Sequence, residues 1–186
     1  MLPATSLKHL CSLLALVFAA AVAAEDAAHS KLIGTALPEW SVTDWIHSAP
    51  LSLEQLRGQV VLVRWWTGPG CPYCSASAPY LNRWHQQYRS QGLVVLGFYH
   101  HKSDEPWTRA QVARLAAQLG FRFPIAIDPE WRTLKRWWLD GQDRTATSVS
   151  FLIDRQGILR YVHPGLAYSP EEAVEIESHI QRLVAD

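Results

Sequence analysis

Short apolar runs alternate with amphipathic segments through the middle of the chain. The apolar runs cover residues 60–63, 93–99 and 123–127, and runs of this kind are typical of strands that are covered on both faces. The segments 74–91 and 108–119 repeat apolar positions at helical spacing and are followed or ended by glycine, which predicts two helices. This alternation predicts parallel strands that are joined by right-handed crossovers.

Two short segments precede the first long apolar run. Residues 37–42 predict an extended stretch, and residues 51–58 predict one or two helical turns. Ser52 is suited to cap these turns and Gly58 to end them.

The C-terminal third predicts a short helix, a hairpin and a final helix. Residues 128–138 predict the short helix. The apolar segments 149–154 and 158–163 flank a turn that contains Gly157, as the two strands of a β-hairpin do. The run Ser-Pro-Glu-Glu at 169–172 supplies a cap, a first-position proline and acidic residues for the last helix. Together the elements predict an α/β fold.

The first two dozen residues have the layout of a secretory signal peptide. Basic Lys8 precedes the apolar run 10–22, and small residues follow at 23–24. The apolar run holds about 13 residues, whereas a helix that spans a bilayer needs roughly 20. We therefore expect a signal peptide over 1–24 and one exported, periplasmic domain over 25–186. An uncleaved membrane anchor is the alternative.

Charge adds little direction to this picture. The chain carries 17 basic and 17 acidic residues, and loss of Lys8 with the signal peptide leaves 16 minus 17, or a net charge of −1. A chain without a positive balance gives no indication of a nucleic-acid-binding face.

The number and spacing of the cysteines limit the roles that they can have. Of the three cysteines, Cys11 lies in the predicted signal peptide, so the mature chain keeps Cys71 and Cys74. A single pair with two intervening residues is not a disulfide scaffold. Half of a zinc site would need two further ligands, and no second Cys-x-x-Cys or His-x3-His is present. The pair is therefore predicted to be a working redox couple.

The place of the pair in the chain assigns a role to each sulfur. The pair follows the apolar strand 59–66 and begins the helix. Unpaired N–H groups and the helix dipole favour a thiolate at the first position. We expect Cys71 to be the nucleophile and Cys74 the resolving cysteine.

At this point the chain resembles the thioredoxin superfamily, and within it the exported TlpA/ResA-like thiol–disulfide oxidoreductases and the related redoxins. The resemblance covers about residues 32–184. It is carried by residues 56–66, by the Cys71–Cys74 pair with Pro79 five residues later, and by residues 151–157. It implies a thioredoxin-like fold with a central mixed β-sheet flanked by helices, a dithiol at the carboxyl edge of a central strand, and a helix kink at Pro79.

The resemblance also implies residues that support the dithiol. The intervening pair sets the reduction potential, and neighbouring residues shape substrate docking. The expected supporting residues are Pro72, Tyr73, Trp66, Pro79, Ser148 and Val149.

Three departures from the family pattern bear on the site. Ser148–Val149 stands where relatives have a cis-proline, so we expect a trans bond and a different docking groove. None of Trp65, Arg64 and Ser77 supplies the buried carboxylate that relatives use to move a proton. The stretch 66–70 lacks an aromatic residue directly before the first cysteine and is one residue longer than usual.

The resulting hypothesis is an enzyme that reduces or exchanges disulfides of exported proteins, such as apocytochromes or oxidised partner enzymes. A membrane or periplasmic protein would supply electrons, because an oxidising compartment offers no reductant. We expect no cofactor beyond the Cys71–Cys74 disulfide, no metal, no nucleic-acid partner and no membrane span after cleavage of the signal peptide.

Two other functions remain open, and so do the roles of three histidines. Cys71 as the peroxidatic thiol of a peroxidase is one alternative, although Thr67 lies four residues before it rather than three. A copper or metal carrier that uses the thiols is the other. His100–His101 are expected to be solvated loop residues, with thiolate support or metal binding as alternatives, and His163 is expected in a turn.

Overall fold

A computed structural model of the protein describes residues 31–67, 70–102, 104–128, 130–142 and 144–186. The predicted signal peptide lies outside the described residues.

Within the described residues, six strands form one mixed sheet in the order β1-β4-β3-β2-β5-β6. The pairs β2–β3 and β3–β4 are parallel, and the pairs β1–β4, β2–β5 and β5–β6 are antiparallel. The strands are β1 Asp44–Ile46, β2 Val60–Trp66, β3 Leu93–Tyr99, β4 Ile125–Ile127, β5 Ser150–Ile153 and β6 Leu159–His163.

Helices follow the strands much as the pattern predicts. They are α1 Pro72–Tyr88, extended by a 3₁₀ turn Arg89–Gln91, then α2 Arg109–Gln118, α3 Arg132–Leu134 with a π turn Lys135–Leu139, and α4 Pro170–Ala185. Capping boxes begin α2 at Thr108 and α4 at Ser169. Gly92 takes a φ of 94° where the 3₁₀ turn ends, a conformation that glycine adopts without strain.

The sheet separates two apolar cores. Alternate residues of β2 point to opposite faces, so Leu62 and Trp66 join a core with α1, α2 and α4, while Val63 and Trp65 join the other. The second core is covered by α3 and by residues 37–56, and it holds Trp40, Trp45, Trp65, Trp137 and Trp138. The central strand β2 is buried along its whole length, which fixes the position of everything attached to its carboxyl end.

The short elements before β2 differ from the prediction. Residues 37–42 pair with no strand, and residues 53–58 form turns rather than a helix. The Glu39 carboxylate accepts hydrogen bonds from the Leu53 N–H, both at 3.0 Å, and so holds the turn through a side chain distant in sequence. The strand β1 was not predicted, because three residues are too few to show a period and the strand is defined by its pairing with β4.

His100 is the clearest correction to the sequence-based expectation of solvated histidines. It follows β3, and its backbone N–H donates to the Trp66 carbonyl at 3.0 Å. The side chain is fully buried, neither ring nitrogen has a hydrogen-bond partner within the described part of the chain, and the ring meets Trp131 edge-to-face at 4.9 Å. Burial lowers the pKa of His100 to about 3, aided by the charge of Lys102. The ring is therefore neutral in the folded protein at ordinary pH.

We predict that His100 makes the fold sensitive to acid. The folded pKa lies below the unfolded value of roughly 6.5, so the unfolded chain binds the proton first and stability falls as the pH drops below about 6.5. At about pH 4.5 the loss should be about 2–3 kcal/mol, because it grows by about 1.36 kcal/mol for each pH unit below the unfolded pKa until the folded pKa is reached. Urea unfolding of the native protein and of His100→Phe, at neutral pH and at about pH 4.5, measures this loss of stability.

The control is His179→Gln on α4, where the histidine is only partly buried and lies 3.9 Å from Glu175. This variant should keep most of the wild-type loss of stability, whereas His100→Phe should lose about 2–3 kcal/mol less than wild type on acidification. Equal acid sensitivity in His100→Phe and the native protein would show that His100 is not the responsible group.

Candidate active site

The cysteine pair lies where β2 gives way to α1. Trp66 ends the strand, and Cys71 is the N-cap of the helix, with φ −84° and ψ 97°. Pro72 occupies the first helical turn, where its fixed φ suits the helix and its missing N–H costs nothing. The sequence-based placement of the pair at the head of a helix is thus confirmed.

Cys71 and Cys74 are joined by a disulfide, with their Cα atoms 5.4 Å apart. The Cys71 sulfur accepts a hydrogen bond from the Cys74 backbone N–H at 3.2 Å. In the reduced protein the same N–H and the positive end of the helix dipole would face a thiolate on Cys71 and stabilise it. The geometry therefore supplies the electrostatic support that the sequence predicts for the first sulfur.

The two sulfurs differ in their access to solvent. Cys71 is partly exposed, whereas Cys74 is 4% exposed and packs in the core beneath α1. The Cys74 sulfur lies 4.0 Å from the Thr67 carbonyl oxygen. A second protein can reach Cys71 and not Cys74, which supports the nucleophilic and resolving roles expected of the two residues.

The supporting residues separate into a surface group and a core group. Pro72 and Tyr73 are exposed beside Cys71, Tyr73 by 42%. Pro79 lies inside α1 with an exposed side chain. Trp66 is 1% exposed and packs edge-to-face on Tyr99 and Phe121, so it supports the site from the core and forms no part of the surface.

The segment Ser148–Val149 runs beside the end of β2. The Trp65 N–H donates to the Val149 carbonyl at 3.0 Å, and both Ser148 and Val149 are buried. The described part of the chain contains no cis peptide bond, so Ser148–Val149 is trans as expected. The Val149 side chain belongs to the core on the face opposite α1, so it does not line a groove at the dithiol.

A buried polar cluster around Arg64 was not predicted. Arg64 is 1% exposed; its Nη1 donates to Ser150 Oγ at 3.2 Å, and its Nη2 to Ser77 Oγ at 3.2 Å and to the Leu166 carbonyl at 2.5 Å. The guanidinium also lies over the Tyr168 ring, 4.8 Å from its centre, and the Tyr168 hydroxyl is 2.6 Å from Ser150 Oγ. Burial lowers the pKa of Arg64, and Tyr168 opposes this shift.

The sequence contained a signal for this cluster. Arg64 interrupts the apolar run of β2 at a position that alternates with Leu62 and Trp66, so it must point toward α1. Arg64 and Ser77 are two of the three residues that, as noted above, supply no proton-accepting carboxylate. Their side chains contact each other. Among the described residues, no carboxylate forms an ion pair with Arg64.

His163 extends the cluster toward the surface. It is the last residue of β6 and 1% exposed, rather than a turn residue as expected, because the ladder with β5 continues to Ser150. Its ring meets Tyr168 edge-to-face at 4.9 Å, and its Nε2 lies 3.4 Å from Glu172 on α4. Burial and then the charge of Arg64 lower the pKa of His163, while Glu172 raises it.

The described residues contain neither a cluster of metal ligands nor a helix that could span a membrane. No group of three or more His, Cys, Asp and Glu side chains is arranged to hold a metal ion. No helix of the described chain has the length and apolarity that crossing a membrane requires.

Comparisons with known proteins agree with this geometry. The chain is 31% identical over 144 residues to the protein DipZ of Mycobacterium bovis, a match that covers 76% of this chain and 20% of DipZ. The chain thus spans about a fifth of the length of that relative. It is 26% identical over 151 residues to the thiol-disulfide oxidoreductase ResA of Geobacillus kaustophilus, which covers 81% of this chain and 78% of ResA.

A solved structure matches the fold. The thiol-disulfide isomerase of Corynebacterium glutamicum superposes with a TM-score of 0.64 at 24% identity, over 82% of this chain and 97% of that one. The thioredoxin-like fold expected from the sequence is confirmed. The model of the AhpC/TSA family matches residues 33–162. This match shows that the chain belongs to the AhpC/TSA family, and the match to ResA relates it to the thiol–disulfide oxidoreductases.

Proposed function

We propose that the protein is an exported thiol–disulfide oxidoreductase that reduces or exchanges disulfides of partner proteins through Cys71 and Cys74. The observation that carries this proposal is the asymmetry of the disulfide: Cys71 is partly exposed and its sulfur accepts a hydrogen bond from the Cys74 N–H, whereas Cys74 is buried. A nucleophile that a substrate can reach and a resolving thiol that a substrate cannot reach are what a two-step exchange requires.

The reaction follows from this arrangement. The Cys71 thiolate attacks one sulfur of a substrate disulfide and forms a mixed disulfide, and the released substrate sulfur takes a proton from solvent. The Cys74 thiol loses its proton to solvent and attacks the Cys71 sulfur, which closes the disulfide of this protein and releases the second substrate thiol. The substrate gains two electrons, and the dithiol loses two.

The cycle needs a reductant that opens the Cys71–Cys74 disulfide again. A donor dithiol performs the same exchange in reverse, so the protein needs no bound cofactor in this proposal. The donor is proposed to be a membrane or periplasmic protein, because an oxidising compartment holds no reducing thiol buffer. The substrates are proposed to be exported proteins with disulfides.

Peroxide reduction is the second candidate, because the redoxins that the chain resembles include peroxiredoxins. The described geometry offers it less support. Thr67 presents its backbone carbonyl near the resolving sulfur, 4.0 Å from Cys74, and the Cys71 sulfur accepts a hydrogen bond from the Cys74 N–H. Among the described residues, no second donor bonds to the Cys71 sulfur that could activate peroxide.

Replacing each cysteine separates the two roles. Cys71→Ser should lower reduction of a model protein disulfide on the order of a thousandfold or more, because the nucleophile is removed. Cys74→Ser should form a mixed disulfide with the substrate and accumulate it, since the buried thiol that resolves it is absent. Thiol release and non-reducing electrophoresis measure both. Full activity of Cys71→Ser would contradict the proposal.

Peroxide distinguishes the two candidate functions. We expect the reduced protein to be oxidised by micromolar peroxide no faster than an ordinary low-pKa thiol, because the described part of the site gives the Cys71 sulfur one donor, the Cys74 N–H. Stopped-flow tryptophan fluorescence follows the oxidation, with Cys71→Ser as the unreactive control. Fast oxidation with repeated turnover would favour the peroxidase.

Export is tested on the protein recovered from its own cells. Removal of the predicted signal peptide should leave a chain that begins at Glu25 in the periplasmic fraction. Mass spectrometry of the intact protein measures the N-terminus. A full-length chain that stays with the membrane fraction would support the uncleaved anchor instead.

A further inference from the structure

Arg64 carries a positive charge into the core, and no carboxylate among the described residues pairs with it. The side chain is 1% exposed, and its contacts are two hydroxyl groups, one carbonyl and the Tyr168 ring. Its Nε is buried and has no hydrogen-bond partner in the described structure. A buried charge without a partner is costly, and natural proteins pair such charges with an opposite charge or a metal.

An anion that the chemistry of this site creates, the Cys74 thiolate, forms on the helix that Arg64 contacts. Ser77, which accepts a hydrogen bond from Arg64, is three residues after Cys74 on the buried face of α1. Side chains three residues apart on a helix have Cβ atoms about 5–6 Å apart. Through Ser77 the guanidinium is placed about one helical turn from Cys74, and Arg64, Ser77 and Cys74 are all buried.

We propose that Arg64 is a positioning residue whose buried positive charge stabilises the thiolate of Cys74, so that electrostatics replaces a proton-accepting carboxylate in the resolving step. This inference rests on the proposed exchange function. Arg64 touches neither sulfur in the disulfide form, and it acts through Ser77 and through its field.

The step this charge assists is resolution of the mixed disulfide. The Cys74 thiol releases its proton to solvent, and the thiolate attacks the Cys71 sulfur. The bond between Cys71 and the substrate breaks, and the substrate cysteine leaves as a thiolate that takes a proton from solvent. A charge that stabilises the Cys74 thiolate also favours the reduced dithiol over the disulfide, which makes the couple more oxidising.

The other titratable groups around Arg64 do not cancel its charge at neutral pH. Tyr168 is a phenol beneath the guanidinium, and His163 packs on Tyr168 with its pKa lowered by burial first. Glu172 is the nearest carboxylate in this chain of contacts, and it lies on the far side of His163, 3.4 Å from that ring. Its charge reaches Arg64 only across two side chains.

A purely structural role is the competing explanation, since Arg64 joins β2 to α1, β5 and the Leu166 loop. The test therefore compares Arg64→Met, which keeps the apolar stem and removes the charge, with Arg64→Lys, which keeps the charge and loses the planar fork. Both should lose stability. Only the first should change the redox equilibrium.

The matched control is Arg155→Met. Arg155 also binds backbone carbonyls without a carboxylate, at Gly58 (2.7 Å) and Val184 (2.9 Å), but it lies at the opposite end of β2 from the dithiol. This variant should lose stability and keep the wild-type potential.

The measurements are the equilibrium constant with glutathione, at neutral pH and at about pH 9 where thiolates dominate, and thiol ionisation by ultraviolet absorbance. In Arg64→Met we expect the pKa of the Cys74 thiol to rise by about one unit. At a pH at which the Cys74 thiol is ionised, the reduction potential should fall by about 30 mV, which is a tenfold change in the equilibrium constant of a two-electron couple. Arg64→Lys should stay within a factor of about three of wild type in this constant.

A second variant covers the case in which Arg64→Met does not fold. Ser77→Asp places a carboxylate beside the guanidinium and neutralises the charge while keeping the arginine, so it should lower the potential in the same direction. Unchanged potentials and thiol pKa values in the folded Arg64→Met or Ser77→Asp protein would overturn the inference, and so would a shift in Arg64→Lys or Arg155→Met as large as the shift in Arg64→Met. A native dithiol that fails to exchange with glutathione would instead overturn the proposed function.

Discussion

The hydrogen bond from the Cys74 N–H to the Cys71 sulfur is the interaction on which the site depends. It exists because β2 is buried along its length and stops at Trp66, so the chain must turn and begin α1 at a fixed place above the sheet. Pro72 in the first turn sets the helical φ and leaves Cys71 as the cap. Without this junction the two sulfurs would still be close in sequence, but neither would lie at the positive end of a helix.

The main features of the fold could be predicted because they are written in local patterns. The apolar runs of β2 and β3, the spacing of α1 and the caps at Thr108 and Ser169 are all readable from nearby residues. The predictions that failed concern elements that depend on residues distant in sequence. The strand β1 exists through its partner, and the turn after Leu53 is held by Glu39, so neither has a signal within its own few residues.

The candidate site shows the same division. Cys71 and Cys74 were found from spacing and from the strand-to-helix change, and the difference in their burial follows from helix geometry. The sequence indicates that Arg64 points toward α1, but it does not show which residues Arg64 contacts. Ser77, Ser150 and Tyr168 come from three separate segments that only the fold brings together. His100 was misjudged for a related reason: its position at the end of a strand suggested a loop, and Trp131, which covers it, lies 31 positions later.

Because Cys71 is at once the cap of α1 and the redox-active sulfur, the oxidation state of the protein is coupled to the integrity of that helix. A thiolate is a better acceptor for the first-turn N–H than a disulfide sulfur, so reduction strengthens the cap at the moment it removes the covalent link. The thermodynamic cycle then requires that any preference of the folded chain for the dithiol appear as oxidising power toward other proteins. In such a molecule, fraying of a single helical turn would be expressed as a change in the driving force for electron transfer.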